Sequence, residues 1–138
     1  MWTHECTTET DVPVDRIWQT FVDIHSGRLR LPGGDVFRPE GDLAVGTRIA
    51  VTPAGQNTMT SVVTELEPGA AYADETRYGD LVLTFRHRFQ PLEGTTRITH
   101  ALTITGPGSD EAGPVVGPQI SADFPEQLDA LVDAARRA

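Results

Sequence analysis

The stretch of sequence that decides the fold covers residues 81–105 and reads LVLTFRHRFQPLEGTTRITHALTIT. Apolar and polar side chains alternate on both sides of the loop QPLEG, and successive side chains of a strand point to opposite faces. The pattern therefore predicts two antiparallel strands, 80–90 and 95–106, joined by a hairpin loop. One histidine falls on the apolar face of each strand, His87 on the first and His100 on the second.

A third histidine follows the same rule near the beginning of the chain. Residues 2–10 alternate in the same way, with Trp2, His4 and Cys6 on the apolar side and threonine or glutamate between them. The alternation and the threonine content predict a first strand. A fold that brings the three strands together would line one interior with their histidines.

Helical patterns follow the first strand and close the chain. Apolar residues recur at helical spacing from Ile17 to Ile24, which predicts an amphipathic helix that ends near residue 25. In the last segment, apolar residues repeat at a spacing of three and four: Ile120, Phe124, Leu128, Leu131, Val132 and Ala135. Pro125 lies inside this pattern and predicts either a kink or the beginning of the regular helix.

Between these helices, the sequence predicts further strands at 46–52, 58–66 and near 70–77. Residues 26–45 are rich in glycine and proline and are expected to be irregular, with room for a short element near 29–31 or 36–38. Residues 107–117 are expected to form a turn-rich link.

The composition limits the classes of protein to which the chain can belong. Its 138 residues, 38% of them hydrophobic and 22% charged, predict one soluble globular domain. The formal net charge of -9 argues against nucleic acid or an anionic membrane as the main partner. No apolar run approaches the roughly 20 residues of a membrane span, and no signal-peptide pattern is present, so a cytoplasmic location is expected. The single cysteine, Cys6, excludes an intramolecular disulfide.

Several segments resemble the START-like superfamily, which includes polyketide cyclases and dehydratases, lipid-transfer domains and birch-pollen-allergen-like proteins. The similar segments are VDRIWQTFVD (14–23), LAVGTR (43–48), VVTELEPG (62–69), GTTRIT (94–99) and PEQLDAL (125–131). The resemblance covers nearly the whole chain and implies one α+β domain over residues 1–138. Its helix-grip fold is a curved antiparallel sheet wrapped around a long C-terminal helix, with an internal cavity. The superfamily has no universal active-site motif, so the resemblance implies a cavity without a particular reaction.

In such a fold the first strand pairs with the last, and the last pairs with the strand before it. The resemblance therefore implies that His4, His100 and His87 face one cavity from three adjacent strands. His87 and His100 are the candidate catalytic residues, and His4 supports them. The candidate ligand-binding residues surround the histidines with apolar surface: Trp2, Cys6, Leu83, Phe85, Phe89, Ile98, Leu102, Phe124 and Leu128.

Three uses of this cluster stay open. Imidazole titrates near neutral pH, so the histidines could move protons in a cyclisation, dehydration or isomerisation of a polyketide-like molecule. They could also hold a transition metal together with Cys6, or hydrogen-bond a molecule that the protein only carries. The sequence lacks the short-range spacing of a zinc motif, and the prediction includes no metal and no cofactor. The expected partner is a small hydrophobic or aromatic molecule, and a homodimer is left open.

The remaining polar aromatic residues are assigned structural roles. His25 lies at the C-terminal end of the first helix, which predicts a surface position where it complements the helix dipole, with a role at the cavity mouth as the alternative. Tyr72, Tyr78 and Trp18 are expected to pack in the core with a polar tip, and a hydrogen bond from each to a ligand is the alternative.

Overall fold

The computed structural model describes residues 1–138, which form one antiparallel sheet of seven strands and three helices. The strands are β1 (Trp2–Thr10), β2 (Val36–Pro39), β3 (Arg48–Thr52), β4 (Met59–Glu67), β5 (Ala71–Tyr78), β6 (Leu81–Pro91) and β7 (Thr96–Thr105). The helices are α1 (Val14–His25), α2 (Ser109–Ser121) and α3 (Phe124–Arg137). The strand order is β1-β7-β6-β5-β4-β3-β2, so the first strand lies beside the last. The α+β class and the helix-grip architecture that the sequence predicts are confirmed.

The register of the β6–β7 hairpin places the two central histidines opposite each other. His87 pairs directly with His100, and Phe85 and Phe89 flank His87 on the same face of β6. On the other side of β7, Cys6 of β1 pairs with His100. Because side chains alternate along each strand, this register fixes which residues of the three strands share the inner face.

Two hydrophobic clusters attach the helices to this inner face. The larger cluster joins α1 and α3 to the sheet through Ile17, Phe21, Tyr72, Phe89 and Leu128, among others. The smaller one joins the end of α2 and the beginning of α3 to β6 and β7 through Leu81, Leu83, Leu102, Ile104 and Phe124. Burial of such side chains contributes about 1.5 to 3 kcal/mol each to the free energy of unfolding. The two clusters leave a space between them, which is the cavity described below.

The short strand β2 is the regular element within the glycine- and proline-rich segment 26–45. It covers the second of the two positions that the sequence suggested, and it pairs with β3 at the edge of the sheet. Residues 31–35, which precede β2, belong to no strand or helix, and they lie over the inner face of the sheet.

The prediction of a turn-rich link at 107–117 is wrong, because this segment lies largely within α2. The buried face of α2 consists of small residues spaced by four: Ser109, Gly113, Gly117 and Ser121. A side-chain carbon added to Gly113 or Gly117 would collide with the indole of Trp2. The large apolar group at this contact therefore belongs to β1, and α2 itself adds only the partly buried Ala112, Val116 and Ile120 to the smaller hydrophobic cluster. The exposed prolines Pro114 and Pro118 further disguise the helix.

The second interpretation of Pro125 is confirmed. The helix α3 begins at Phe124 with Pro125 in its first turn, where a missing backbone N–H costs no helical hydrogen bond. The predicted apolar face is therefore divided between two helices, with Ile120 on α2 and the rest on α3. None of the three helices has the length and apolar composition needed to cross a membrane.

The contact between α2 and Trp2 gives a test of the packing. Replacing a glycine by alanine within a helix normally stabilises the helix by about 1 kcal/mol. We expect Gly117→Ala to destabilise this protein instead by about 1 to 3 kcal/mol, because the added methyl group meets the Trp2 ring. Urea unfolding of Gly117→Ala, Trp2→Ala and the double variant measures the effect. In the Trp2→Ala background the destabilisation should vanish, and an additive cycle would contradict the contact.

Candidate functional site

A cavity of about 840 Å³ lies between the inner face of the sheet and the helices. Its 33 lining residues come from α1, the segment before β2, strands β2 to β7, the loop between β3 and β4, and the α2–α3 region, and 17 of them are hydrophobic. Cavities that hold small molecules in proteins typically measure about 300 to 1,000 Å³. The space is therefore large enough for a molecule of several rings.

Three stacked rings form one wall of the cavity. The ring centroids of His87 and His100 lie 3.9 Å apart with an interplanar angle of 23°, and those of His100 and Phe124 lie 3.7 Å apart at 18°. The directly opposed positions on β6 and β7 bring the two imidazoles together, and the first residue of α3 covers the far side of His100. Stacked imidazoles cannot hydrogen-bond to each other edge to edge, so their nitrogens remain available for other partners.

His25 also lines the cavity, with its ring centroid 6.1 Å from that of His87. Its predicted surface position is therefore wrong. The residue is buried, its ring stacks on Phe21 at 3.9 Å, and its Nδ1 donates a hydrogen bond to the Phe21 carbonyl oxygen at 3.1 Å. Phe21 also contacts the His87 ring at 4.7 Å. Residues four apart lie on the same face of a helix, so His25 follows the apolar stripe of α1 inward. That spacing from Phe21 was the signal in the sequence, and the helix-end position of His25 obscured it.

Burial keeps the three cavity histidines uncharged at neutral pH. Loss of water contact lowers the pKa of His100 to about 3, with a smaller effect of His25. It lowers the pKa of His25 to about 4, against an opposing effect of the Phe21 carbonyl. Burial first, and then repulsion from His100 and His25, hold the pKa of His87 well below its ordinary value of 6.5. If both imidazoles took up a second proton, their two positive charges would repel each other at this distance.

The two ring nitrogens of His87 and His100 have different surroundings. Nδ1 of each ring is enclosed and has no hydrogen-bond partner. Nε2 of each ring is not enclosed in this way, and both rings belong to the cavity lining. A buried N–H without an acceptor is rare in proteins, which favours the tautomer with its proton on Nε2. Each ring then presents one N–H donor to the cavity.

Asp74 is a cavity residue that the sequence analysis missed. It is buried on β5, with 6% of its surface exposed, and the hydroxyl of Tyr72 donates a 2.8 Å hydrogen bond to its Oδ2. Burial raises the pKa of the Asp74 carboxyl to about 6, although the Tyr72 hydrogen bond opposes the shift. Burial, followed by the charge of Asp74, also raises the pKa of Tyr72 above its ordinary range. Alternation along β5 places Tyr72, Asp74 and Thr76 on one face, and this was the available signal.

The cavity contains carboxylates but no cationic side chain. Besides Asp74, its lining includes Asp35, Asp123 and Glu126, and it includes neither arginine nor lysine. Burial, with a smaller effect of Asp123, raises the pKa of Asp35.

The expected core position of Tyr78 is wrong, because its side chain is largely exposed where β5 ends at the rim of the cavity.

The structure brings together about half of the residues that the sequence suggested as a site. His87 and His100 line the cavity together with Leu83, Phe85, Phe124 and Leu128. The remaining candidates do not line it: Trp2, His4, Cys6, Phe89, Ile98 and Leu102. Alternation determines the face of the strand on which a side chain lies, but it does not determine whether that side chain borders the cavity.

These six residues have identifiable alternative positions. His4 is exposed on the edge strand β1, with its ring centroid 6.2 Å from that of Trp2 and 6.5 Å from that of Phe124, and it does not line the cavity beside the His87–His100 pair. Trp2 lies under α2, and Cys6 is partly buried between the two hydrophobic clusters. Phe89 and Ile98 pack into the larger cluster below α1, and Leu102 is fully buried in the smaller one.

No group of three or more histidine, cysteine, aspartate or glutamate side chains is arranged to hold a metal ion. Cys6 pairs with His100 in register, but it is outside the cavity lining. Since imidazole rings that stack cannot converge on one ion, the geometry offers no ligand set for a metal.

The fold agrees with comparisons with known proteins. The family model described as "Polyketide cyclase / dehydrase and lipid transport" matches residues 1–136. The chain belongs to this family. The resemblance to the START-like superfamily is thereby confirmed. A search of curated protein sequences found no match.

Solved structures share the fold at low sequence identity. Norcoclaurine synthase from Thalictrum flavum is 15% identical with a TM-score of 0.77, and the match covers 99% of this chain and 94% of that one. The protein Ara h 8.0201 is 16% identical with a TM-score of 0.70, covering 99% of both chains. The di-domain ARO/CYC protein BexL of the BE-7585A biosynthetic pathway is 14% identical with a TM-score of 0.66, covering 99% of this chain and 49% of BexL.

The uncharged state of the cavity histidines predicts a particular loss of stability in acid. A histidine whose pKa is lower in the folded than in the unfolded state costs stability as the pH falls below its unfolded pKa, because only the unfolded chain takes up the proton. We expect the wild type to lose about 1 kcal/mol per pH unit relative to His100→Phe as the pH falls from 6.5 toward 3. Urea unfolding at several pH values measures this difference, and His4→Phe is the matched control. Equal pH dependence of the wild type and His100→Phe would show that His100 titrates normally.

Proposed function

We propose that this protein binds a small, largely planar hydrophobic molecule in the cavity and catalyses its cyclisation, dehydration or isomerisation. The observation that carries the proposal is the pair of neutral imidazoles, His87 and His100, each with one nitrogen enclosed and the other open to the cavity. The family description, which includes polyketide cyclases and dehydrases, supports this class of reaction.

The shape and lining of the cavity suit a molecule with aromatic rings. Phe21, Phe37, Phe85 and Phe124 border the space, and the His87–His100 stack offers a further flat surface. Aromatic rings favour offset-stacked or edge-to-face contacts, which orient a planar ligand as well as bind it. Similar structures include norcoclaurine synthase in complex with dopamine and hydroxybenzaldehyde, two small aromatic molecules.

Neutral imidazoles can stabilise the negative charge that develops in these reactions. Cyclisation and isomerisation next to a carbonyl begin with loss of a proton from carbon, which moves negative charge to the carbonyl oxygen. A neutral Nε2–H placed at that oxygen donates a hydrogen bond that strengthens as the charge grows. The lowered pKa values of His87 and His100 make these residues weak bases that gain few protons at neutral pH. They are therefore poorly suited to the proton-transfer role that the sequence suggested. We therefore propose that the Nε2–H groups of His87 and His100 donate hydrogen bonds to the carbonyl oxygen of the reacting molecule.

A carrier function is the second candidate. The family description also includes lipid transport, and the same Nε2–H groups would hold a polar group of a transported molecule without changing it. The two functions differ in whether the bound molecule reacts.

A planar methyl ketone, 2-acetylnaphthalene, distinguishes these functions. An enzyme of the proposed class should accelerate the exchange of its acetyl protons in D₂O above the rate in buffer, whereas a carrier should bind the ketone without exchange. We expect His87→Phe and His100→Phe to lower the exchange rate by about 100-fold, since each removes a donor at the enolate oxygen and keeps a stacked ring. Mass spectrometry of deuterium incorporation measures the rate.

Two controls separate the outcomes. The variant His4→Phe, on the exposed edge of the sheet, should exchange like the wild type. The hydrocarbon 2-isopropenylnaphthalene, which replaces the carbonyl oxygen by a CH₂ group, should bind about 10-fold more weakly than the ketone, because it accepts no hydrogen bond. Binding of the ketone without exchange would leave the carrier function, and absence of binding would contradict both.

A further inference from the structure

The Asp74 carboxyl has a free oxygen on the wall of the cavity. Its Oδ2 accepts the hydrogen bond from Tyr72, but Oδ1 accepts none. Oδ1 is also absent from the enclosed polar atoms that lack a partner, so it reaches the cavity surface. The side chain is held between β4 and β6, opposite Val63 and Phe85 in the two registers. One oxygen is therefore fixed by the protein and the other faces the ligand space.

No cation neutralises this carboxyl. None of the five ion pairs of the protein involves Asp74. Arg86, which pairs with Ala73 in the β5–β6 register, points to the opposite face of β6 and forms an ion pair with Glu65. Buried carboxyls that serve the fold alone are usually paired with a positive group. Asp74 has only a hydroxyl partner, which orients the group without cancelling its charge.

The position of Asp74 relative to the histidine pair suits a two-point contact with one ligand. Tyr72 pairs directly with His87 across β5 and β6, and Asp74 lies two residues further along the same face. Diagonal positions of this kind place their β-carbons about 7 to 8 Å apart. A planar ligand lying on the wall can therefore reach Asp74 with a carbon and the imidazoles with an oxygen.

We propose that Asp74 is the catalytic base of this cavity, which accepts a carbon-bound proton from the planar ligand, and that Tyr72 is its positioning residue. The inference rests on the proposed function, because it assumes that an aromatic molecule occupies the cavity. It adds the proton acceptor that the histidine pair does not supply.

Burial makes Asp74 a cavity group that changes its charge near neutral pH. The other titratable groups that line the cavity are Tyr72 and Tyr78 on β5, His25, His87 and His100 on α1, β6 and β7, Asp35 before β2, and Asp123 and Glu126 near the beginning of α3. Burial lowers the pKa of His25 to about 4 and that of His100 to about 3, and it holds the pKa of His87 well below 6.5, so all three are neutral near neutral pH. Asp74 ionises as the pH rises through its pKa of about 6, so the base form is present above that pH. A base works best when its pKa lies near the working pH.

A simple aromatic substrate isolates the proton-transfer step. In 5-nitrobenzisoxazole, a base removes the proton from C3, and the electron pair of the broken C–H bond forms a nitrile while the N–O bond breaks. The leaving oxygen becomes a nitrophenolate, which is detected by its absorbance. The carboxylate becomes a carboxylic acid and returns its proton to water. The reaction needs no oxidant, no metal and no second substrate.

We expect the wild type to open 5-nitrobenzisoxazole with saturation kinetics and with a rate that rises with pH to a plateau above a midpoint of about 6. Asp74→Asn should lower kcat by about 100-fold or more, because the amide keeps the shape and loses the basic oxygen. Its binding of 2-acetylnaphthalene should be unchanged. Tyr72→Phe should remain active with a higher midpoint, because the hydrogen bond that it removes lowers the pKa of Asp74.

The control variant is Asp133→Asn, which makes the same change of charge on the exposed side of α3, outside the cavity. It should retain the wild-type rate. Normal binding of the aromatic probes together with an Asp74→Asn rate equal to that of the wild type would overturn the role of Asp74 and leave the proposed function intact. If neither aromatic probe binds the wild type, the proposed function fails and this inference fails with it. If Asp74→Asn does not fold, the wild-type pH profile decides, and a midpoint near 4 would contradict the proposal.

Discussion

The burial of the His87–His100 pair against Phe124 is the constraint on which the rest of the site depends. Direct pairing of β6 with β7 brings the two rings together, and the beginning of α3 covers them. Loss of water contact then makes both imidazoles neutral, and their stacking prevents them from satisfying each other's hydrogen bonds. The Nε2–H groups of the pair face the cavity, so a ligand that accepts their hydrogen bonds makes contacts that no other protein group supplies.

The cavity combines this neutral wall with a carboxyl whose pKa is raised. One environment moves the two kinds of group in opposite directions, because burial disfavours the charged form of each. The histidines become hydrogen-bond donors at neutral pH, and Asp74 becomes a group that changes charge near pH 6. Tyr72 connects the histidine pair with Asp74. The residue pairs in register with His87, and its hydroxyl donates a hydrogen bond to Asp74. A site with separate donor and acceptor functions results from burial alone, without a cationic side chain.

Much of the fold could be predicted from the sequence, but only part of the site could. Strand alternation gave the correct inner face for His87 and His100, because the period of a strand fixes the face of every residue. It could not show which inward residues border empty space, so Phe89 and Ile98 are core residues. The helix α2 escaped detection because its buried face consists of glycine and serine, and the matching apolar group is Trp2, about 110 residues earlier in the chain. Asp74 and His25 were missed because a charged or helix-terminal residue is ordinarily exposed.

A crystal structure of the protein with 2-acetylnaphthalene bound tests the central claim most directly. The account predicts that the rings lie in the cavity against the His87–His100 stack, with the ketone oxygen about 3 Å from Nε2 of one of these histidines. The acetyl methyl group should then point toward Oδ1 of Asp74. The ketone could instead occupy the polar groove between β1 and α3 that includes Asp11 and Arg136, or lie in the cavity with its oxygen turned to the mouth. Either position would contradict the account.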